Sequence, residues 1–304
     1  MKQHIVGSEP SIVAANGISI AYETFGNSSD PAILLIMGLG YQMIFWDDEF
    51  CAQLSSRGHF VIRFDNRDSG LSTWLNDAGI PDIPAMKKLM AKRKKTRSPY
   101  SLLDMAGDAK GLLDAINIEF AHIVGRSMGG MIGQMMAIHH PERVKTLTSI
   151  MSSTSDPNLP PPKSDVLSIV LEPEPTDKEG FINHCVRILN ALSGPECRID
   201  ESRVRKWAID SYQRGLNPNG AARQFAAILA TGSRKEALKS VRVPTLVIHG
   251  DADPLVPVEC SVDLADTIFG ARLLVIRGLG HTLVPQVYPQ IIDAISLHAA
   301  KNSE

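Results

Sequence analysis

The chain contains the run Gly125-Arg126-Ser127-Met128-Gly129, which follows the apolar block Ala121–Val124 and opens the amphipathic helical stretch Met128–His139. A serine at the apex of so sharp a strand-to-helix turn must take a strained backbone conformation. The residues two positions before and after it must then be small enough for strand and helix to cross closely. Gly125 and Gly129 meet that need, and Gly130 and Gly133 continue the close approach of helix to sheet. The turn would lift the Ser127 hydroxyl above the sheet, with the N-terminus of the next helix beneath it.

The rest of the chain supplies a sheet for that turn. Two alternating runs, Ser11–Ala14 and Ile18–Tyr22, flank Asn16-Gly17, a strong hairpin signal. Ala32–Met37 is apolar without alternation, as a strand buried on both faces is, and similar blocks recur at His59–Phe64, Ala121–Val124, Val144–Ile150, Thr245–His249 and Arg272–Ile276. Amphipathic helical stretches lie between most of them, at Asp48–Ser56, Leu102–Ile116, Met128–His139, Ser261–Phe269 and Pro285–Ala299. Buried strands alternating with helices imply an α/β fold, a mostly parallel eight-stranded sheet with helices on both faces and an antiparallel hairpin at its start. The alternation stops between Ser153 and Ser240, where prolines give way to helical stretches at Asp177–Leu192 and Ser202–Tyr212. So long an interruption is not a loop. The expected organisation is a core of residues 1–152 and 241–304, with a helical cap at 153–240.

Composition excludes several function classes. Lys and Arg number 31 against 33 Asp and Glu, a net charge of −2, with no basic excess of the kind a nucleic-acid surface needs. The run Lys87, Lys88, Lys92, Arg93, Lys94, Lys95, Arg97 has no interleaved aromatics and reads as a solvated helix end. The N-terminal residues 1–10 carry Lys2, His4 and Glu9 and do not read as a signal peptide, and no stretch is long enough for a membrane span. Four scattered cysteines, Cys51, Cys185, Cys197 and Cys260, form no CxxC pair, so a cytoplasmic protein with no structural metal is expected. A homodimer stays open.

A serine hydroxyl needs a base, and the base needs an orienting carboxylate. His281 lies in Gly278-Leu279-Gly280-His281, just past the strand Arg272–Ile276, where open α/β sheets hold their sites. His249 falls inside a strand and reads as a packed residue. The acid comes from His249-Gly250-Asp251-Ala252-Asp253-Pro254, where both aspartates are eligible. Asp253 is favoured because it stands further out and Pro254 stiffens it, which leaves Asp251 to brace the turn. Acyl transfer also needs oxyanion donors. The Met128 N–H is one, and the Leu39 N–H in Met37-Gly38-Leu39-Gly40 is the expected second.

On these motifs, and on Val61–Ser72 and Val243–Pro254, the chain resembles the α/β-hydrolase superfamily over its full length, and more closely the bacterial esterases of the aclacinomycin methylesterase type. The resemblance implies cofactor-free hydrolysis of small to medium, largely apolar esters under a helical cap. It assigns the nucleophile to Ser127, the acid to Asp253 and the base to His281, with Leu39 and Met128 as oxyanion donors. Met37-Gly38 stands where many relatives have His-Gly, and Arg126 fills the variable position beside the serine, where a structural role is expected. Ser127 argues against relatives that use an aspartate or cysteine nucleophile. Lactone hydrolysis, perhydrolysis and a receptor-like ligand-binding role stay open as alternatives.

Overall fold

The computed structural model describes residues 7–92, 94 and 96–302. Residues 1–6, on which part of the leader reading rests, and Arg93 and Lys95 of the basic run lie outside the described residues.

β1 (Ser11–Ala15) and β2 (Ile18–Phe25) form an antiparallel hairpin in which Ala15 pairs with Ile18. Asn16 and Gly17 both take positive φ, 49° and 79°, as a two-residue turn matched to strand twist requires. β3 (Ala32–Ile36), α1 (Asp48–Ser55) and β4 (Phe60–Phe64) follow, and both strands are buried at every position. Next come α2 (Ile83–Ala91), α3 (Leu102–Ala115), β5 (Ala121–Arg126), α4 (Met128–His139) and β6 (Val144–Ile150).

Between β6 and the next strand the chain leaves the sheet for α5 (Ser164–Val170), α6 (Lys178–Leu192), α7 (Glu201–Arg214), α8 (Pro218–Thr231) and the short α9 (Lys235–Leu238). It returns through β7 (Thr245–Gly250), α10 (Glu259–Thr267), β8 (Arg272–Ile276) and α11 (Tyr288–Ala300). The strand order is β1-β2-β4-β3-β5-β6-β7-β8, parallel from β4 onward and antiparallel where β2 meets β1 and β4.

Alternate residues of each central strand feed opposite layers. Leu35, Val124 and Ile248 pack with Phe50 of α1 and Ile291 of α11. Leu34, Ile123 and Val247 pack with Leu112 of α3, Ile132 of α4 and Leu264 of α10. This is why those strands read as unbroken apolar runs.

The helices between β6 and β7 are tied to the loop after β4 by buried charge. Arg223 of α8 grips Asp68 through Nε at 2.9 Å and Nη2 at 2.7 Å, and the Tyr100 hydroxyl donates to the same carboxylate at 2.8 Å. Arg214 of α7 reaches Asp65 at 2.5 Å. Within the loop Arg67 forks onto Asp108 of α3, with both bonds at 2.6 Å. Two-pronged guanidinium contacts fix direction as well as distance, so the loop carries the insertion at a set angle.

Of the basic run, Lys87 and Lys88 lie on α2, where Lys87 covers the Phe225 ring at 5.4 Å, while Lys92, Lys94 and Arg97 are exposed. Among the described residues no helix is long and apolar enough to cross a membrane.

Candidate active site

The turn after β5 is as tight as its glycines imply. Ser127 has φ 55° and ψ −120°. A β-carbon on Gly125 would come within 2.1 Å of the Gly129 carbonyl oxygen, and one on Gly129 within 2.0 Å of the Ile36 carbonyl oxygen. Neither position admits any other residue. The strained serine is held from both sides: its N–H donates to Ile150 O at 2.9 Å, and the Ser152 hydroxyl donates to its carbonyl at 2.8 Å.

Three side chains converge there. His281 Nε2 lies 3.0 Å from Ser127 Oγ, and His281 Nδ1 lies 2.6 Å from Asp253 Oδ2. The other oxygen of Asp253 accepts the Leu255 and Val256 N–H groups at 2.9 and 2.8 Å. Burial would raise this carboxyl, but His281 and His249 outweigh it and hold Asp253 below the usual carboxylate range. Asp251 points elsewhere, accepting the Gly278 N–H at 2.7 Å and so bracing the turn that carries His281. The His281 N–H donates to Leu192 O at the end of α6 at 2.7 Å, so the insertion pins that turn from above.

The loop after β3 closes the fourth side. A β-carbon on Gly38 would stand 3.2 Å from Ser127 Cβ. The Gly40 N–H donates to Gln224 Oε1 at 2.8 Å, and Asn66 Nδ2 donates to Met37 O at 3.0 Å. Among the described residues no acceptor meets the Leu39 or Met128 N–H, and Met128 opens α4, where the helix dipole favours negative charge. A hydroxyl hydrogen-bonded to an imidazole, beside free backbone donors, is an arrangement for acyl transfer.

A family model described as alpha/beta hydrolase fold matches residues 31–286. The chain belongs to the α/β hydrolases. It is 30% identical to the rhodomycin D methylesterase DauP of Streptomyces sp. (strain C5) over 94% of this chain and 97% of that protein. It is 29% identical to the rhodomycin D methylesterase DnrP of Streptomyces peucetius, again over 94% and 97%. Among solved structures, the esterase RhEst1 from Rhodococcus sp. ECU1013 superposes with a TM-score of 0.75 at 20% identity, over 97% of this chain and all of that one. That last likeness is one of fold.

Several residues that shape the site in this α/β hydrolase carry no local sequence signal. Gln224 of α8 holds the Gly38–Gly40 loop and donates from its Nε2 to Arg67 O at 2.8 Å. His249 is packed inside β7, yet its Nε2 lies 3.2 Å from Asp253 Oδ2 and 2.8 Å from Val256 O, while its Nδ1 meets Ser261 Oγ at 2.5 Å. The four-residue step from His249 to Asp253 is the one hint of that contact. Arg126, beside the serine, donates to the His281 carbonyl at 3.0 Å.

A cleft of about 450 Å³ lined by Phe120, Pro141, Val144, Lys145 and Pro244 lies at the opposite, N-terminal ends of β5 and β6. Open parallel sheets hold their chemistry at the carboxyl ends, so this cleft is not the site. Among the described residues no cluster of three His, Cys, Asp or Glu side chains could hold a metal ion.

Proposed function

We propose that the chain is a serine carboxylesterase for small to medium, largely apolar esters, with residues 153–240 forming a cap over a core of 1–152 and 241–304. The observation that carries this reading is the continuous hydrogen-bonded line from Ser127 Oγ through His281 to Asp253. It is supported by the likeness to rhodomycin D methylesterases over nearly the whole chain.

In this mechanism neutral His281 takes the Ser127 proton on Nε2 as Oγ attacks the ester carbonyl. Asp253 keeps the proton on Nδ1 and stabilises the imidazolium. Its four contacts keep it ionised, so the transferred proton stays on the ring. The Leu39 and Met128 N–H groups receive the oxyanion. His281 then protonates the leaving alkoxide, and water, deprotonated by the same nitrogen, releases the acid from the acyl-enzyme.

The test is direct. A fluorophosphonate probe should label Ser127, and short-chain p-nitrophenyl esters should turn over. Ser127→Ala should remove the label and lower kcat by ~10⁶, as for nucleophiles of this kind. Turnover that persists in Ser127→Ala would falsify the assignment.

A further inference from the structure

Arg126 is a buried cation with no counter-ion. It is 5% exposed, and no carboxylate lies within ion-pair distance of it among the described residues. Every other arginine buried to a comparable degree is engaged more fully. Arg63 meets Glu23 and Asp48, Arg67 meets Asp108, and Arg223 meets Asp68. Arg234 has no acid but spends its donors on Gln134, Gly232, Ser153 and Ser155.

Arg126 makes one bond, from Nη2 to the His281 carbonyl. Its remaining nitrogens have no acceptor among the described residues, and they are not among the buried polar atoms sealed from water without a partner. They therefore keep some surface open to water, beside the base and one residue from the nucleophile. An unpaired guanidinium in such a place is costly to hold unless something occupies it.

The surroundings favour an anion. Tyr41 and Tyr288 lie within the field of Arg126, and burial raises both phenols well above their ordinary range, so both hydroxyls stay protonated. Neither hydroxyl has an acceptor among the described residues. Asp253 also acts on Arg126, but its oxygens already serve His281, His249 and two backbone N–H groups. Glu174, on the cap, also acts on Tyr41, yet burial pushes it up to about 7 and among the described residues it forms no ion pair with Arg126.

We infer that Arg126 is a specificity residue that binds a carboxylate of the substrate, and that the preferred substrates are esters carrying a free carboxylate close to the scissile carbonyl. This rests on the esterase reading above and departs from its largely apolar substrates in one respect, a single carboxylate on the acyl side. A planar guanidinium with two parallel donors fits a carboxylate better than a carbonyl or a hydroxyl.

The experiment compares monomethyl esters of malonic, succinic, glutaric and adipic acids with the corresponding dimethyl esters. At least one monoester should show kcat/KM at least 10-fold above its diester. Arg126→Gln should shrink that ratio at least 10-fold, and Arg126→Lys should shrink it less. Diesters favoured throughout the series would overturn the inference. So would an Arg126→Gln loss equal for both classes, which would leave Arg126 as a support for the His281 turn alone. If Arg126→Gln does not fold, Arg126→Lys and the wild-type ratio decide the matter, because a carboxylate buried there without a cationic partner would make the monoester the poorer substrate. Fluorophosphonate labelling of Ser127 and turnover of the dimethyl esters keep the esterase reading separate from this one.

Discussion

Gln224, on α8 of the insertion, holds the Gly40 N–H of the loop after β3 at 2.8 Å, across 184 residues of sequence. The loop that carries the free Leu39 N–H is therefore set by a side chain of the insertion. Gly40 itself has φ +74°, a left-handed conformation that glycine adopts without steric cost, so the Gln224 bond fixes where the loop lies and not whether it can turn.

Replacing Gln224 with Met keeps the volume and removes both of its hydrogen bonds. The expected effect is a fall in kcat of about 10- to 100-fold, smaller than the loss of an oxyanion donor itself, with KM little changed. Steady-state kinetics on p-nitrophenyl acetate decide it. A rise in KM with kcat intact would mean the loop binds substrate and does not stabilise the transition state.

The two aspartates of the β7 loop should separate cleanly. Asp253→Asn should lower kcat by about 10⁴, because the amide offers an N–H where His281 needs an acceptor. Asp251→Asn loses an acceptor for Gly278 and should act chiefly through stability. Measuring kcat beside thermal unfolding for both variants tests the division of labour.

Arg223→Met strands Asp68, a carboxylate sealed in the interior. Breaking one side of such a pair costs about 3–5 kcal/mol, and the double change with Asp68→Asn should recover part of that. Urea unfolding of the single and double variants gives the coupling. Simple additivity would mean that the pair contributes little to anchoring the insertion.

Acid should weaken the fold through His122. It is buried against Thr146, whose hydroxyl lies 2.9 Å from Nδ1, and burial pushes it down to about 4, helped by His59, His298 and Lys145. Its folded value is therefore below the ordinary one. As pH falls from about 6.5 towards 4 the unfolded chain takes up a proton that the folded chain refuses, and stability drops. The loss is at most about 3 kcal/mol. The midpoint of thermal unfolding should fall across that window, and the fall should be shallower in His122→Gln.

What the sequence revealed follows the reach of each interaction. The Asn16-Gly17 hairpin, the buried strands and the turn at Ser127 are set by neighbours within a few residues, so their pattern was readable directly. His281 and Asp253 were readable because strand ends are where such groups must stand. α5 and α8 were not anticipated, and neither were the roles of Gln224, Arg214 and Arg223. Their bonds to Asp65, Asp68, Arg67 and Gly40 span 149 to 184 residues, and a lone Gln or Arg on a helix says nothing of what it will meet. His249 reads from sequence as a packed strand residue, which it is, but its contact with Asp253 exists only once β7 and its loop have folded back.

The crossing of β5 and α4 has one more implication. The atoms that forbid side chains at Gly125 and Gly129 belong to the backbone, and none of them belongs to the Ser127 side chain. The scaffold thus fixes the position of a β-carbon and is indifferent to the functional group attached to it. A thiol or a carboxylate installed at residue 127 would be delivered to the same point, so the backbone crossing sets where the group stands and leaves its chemistry to the side chains around it.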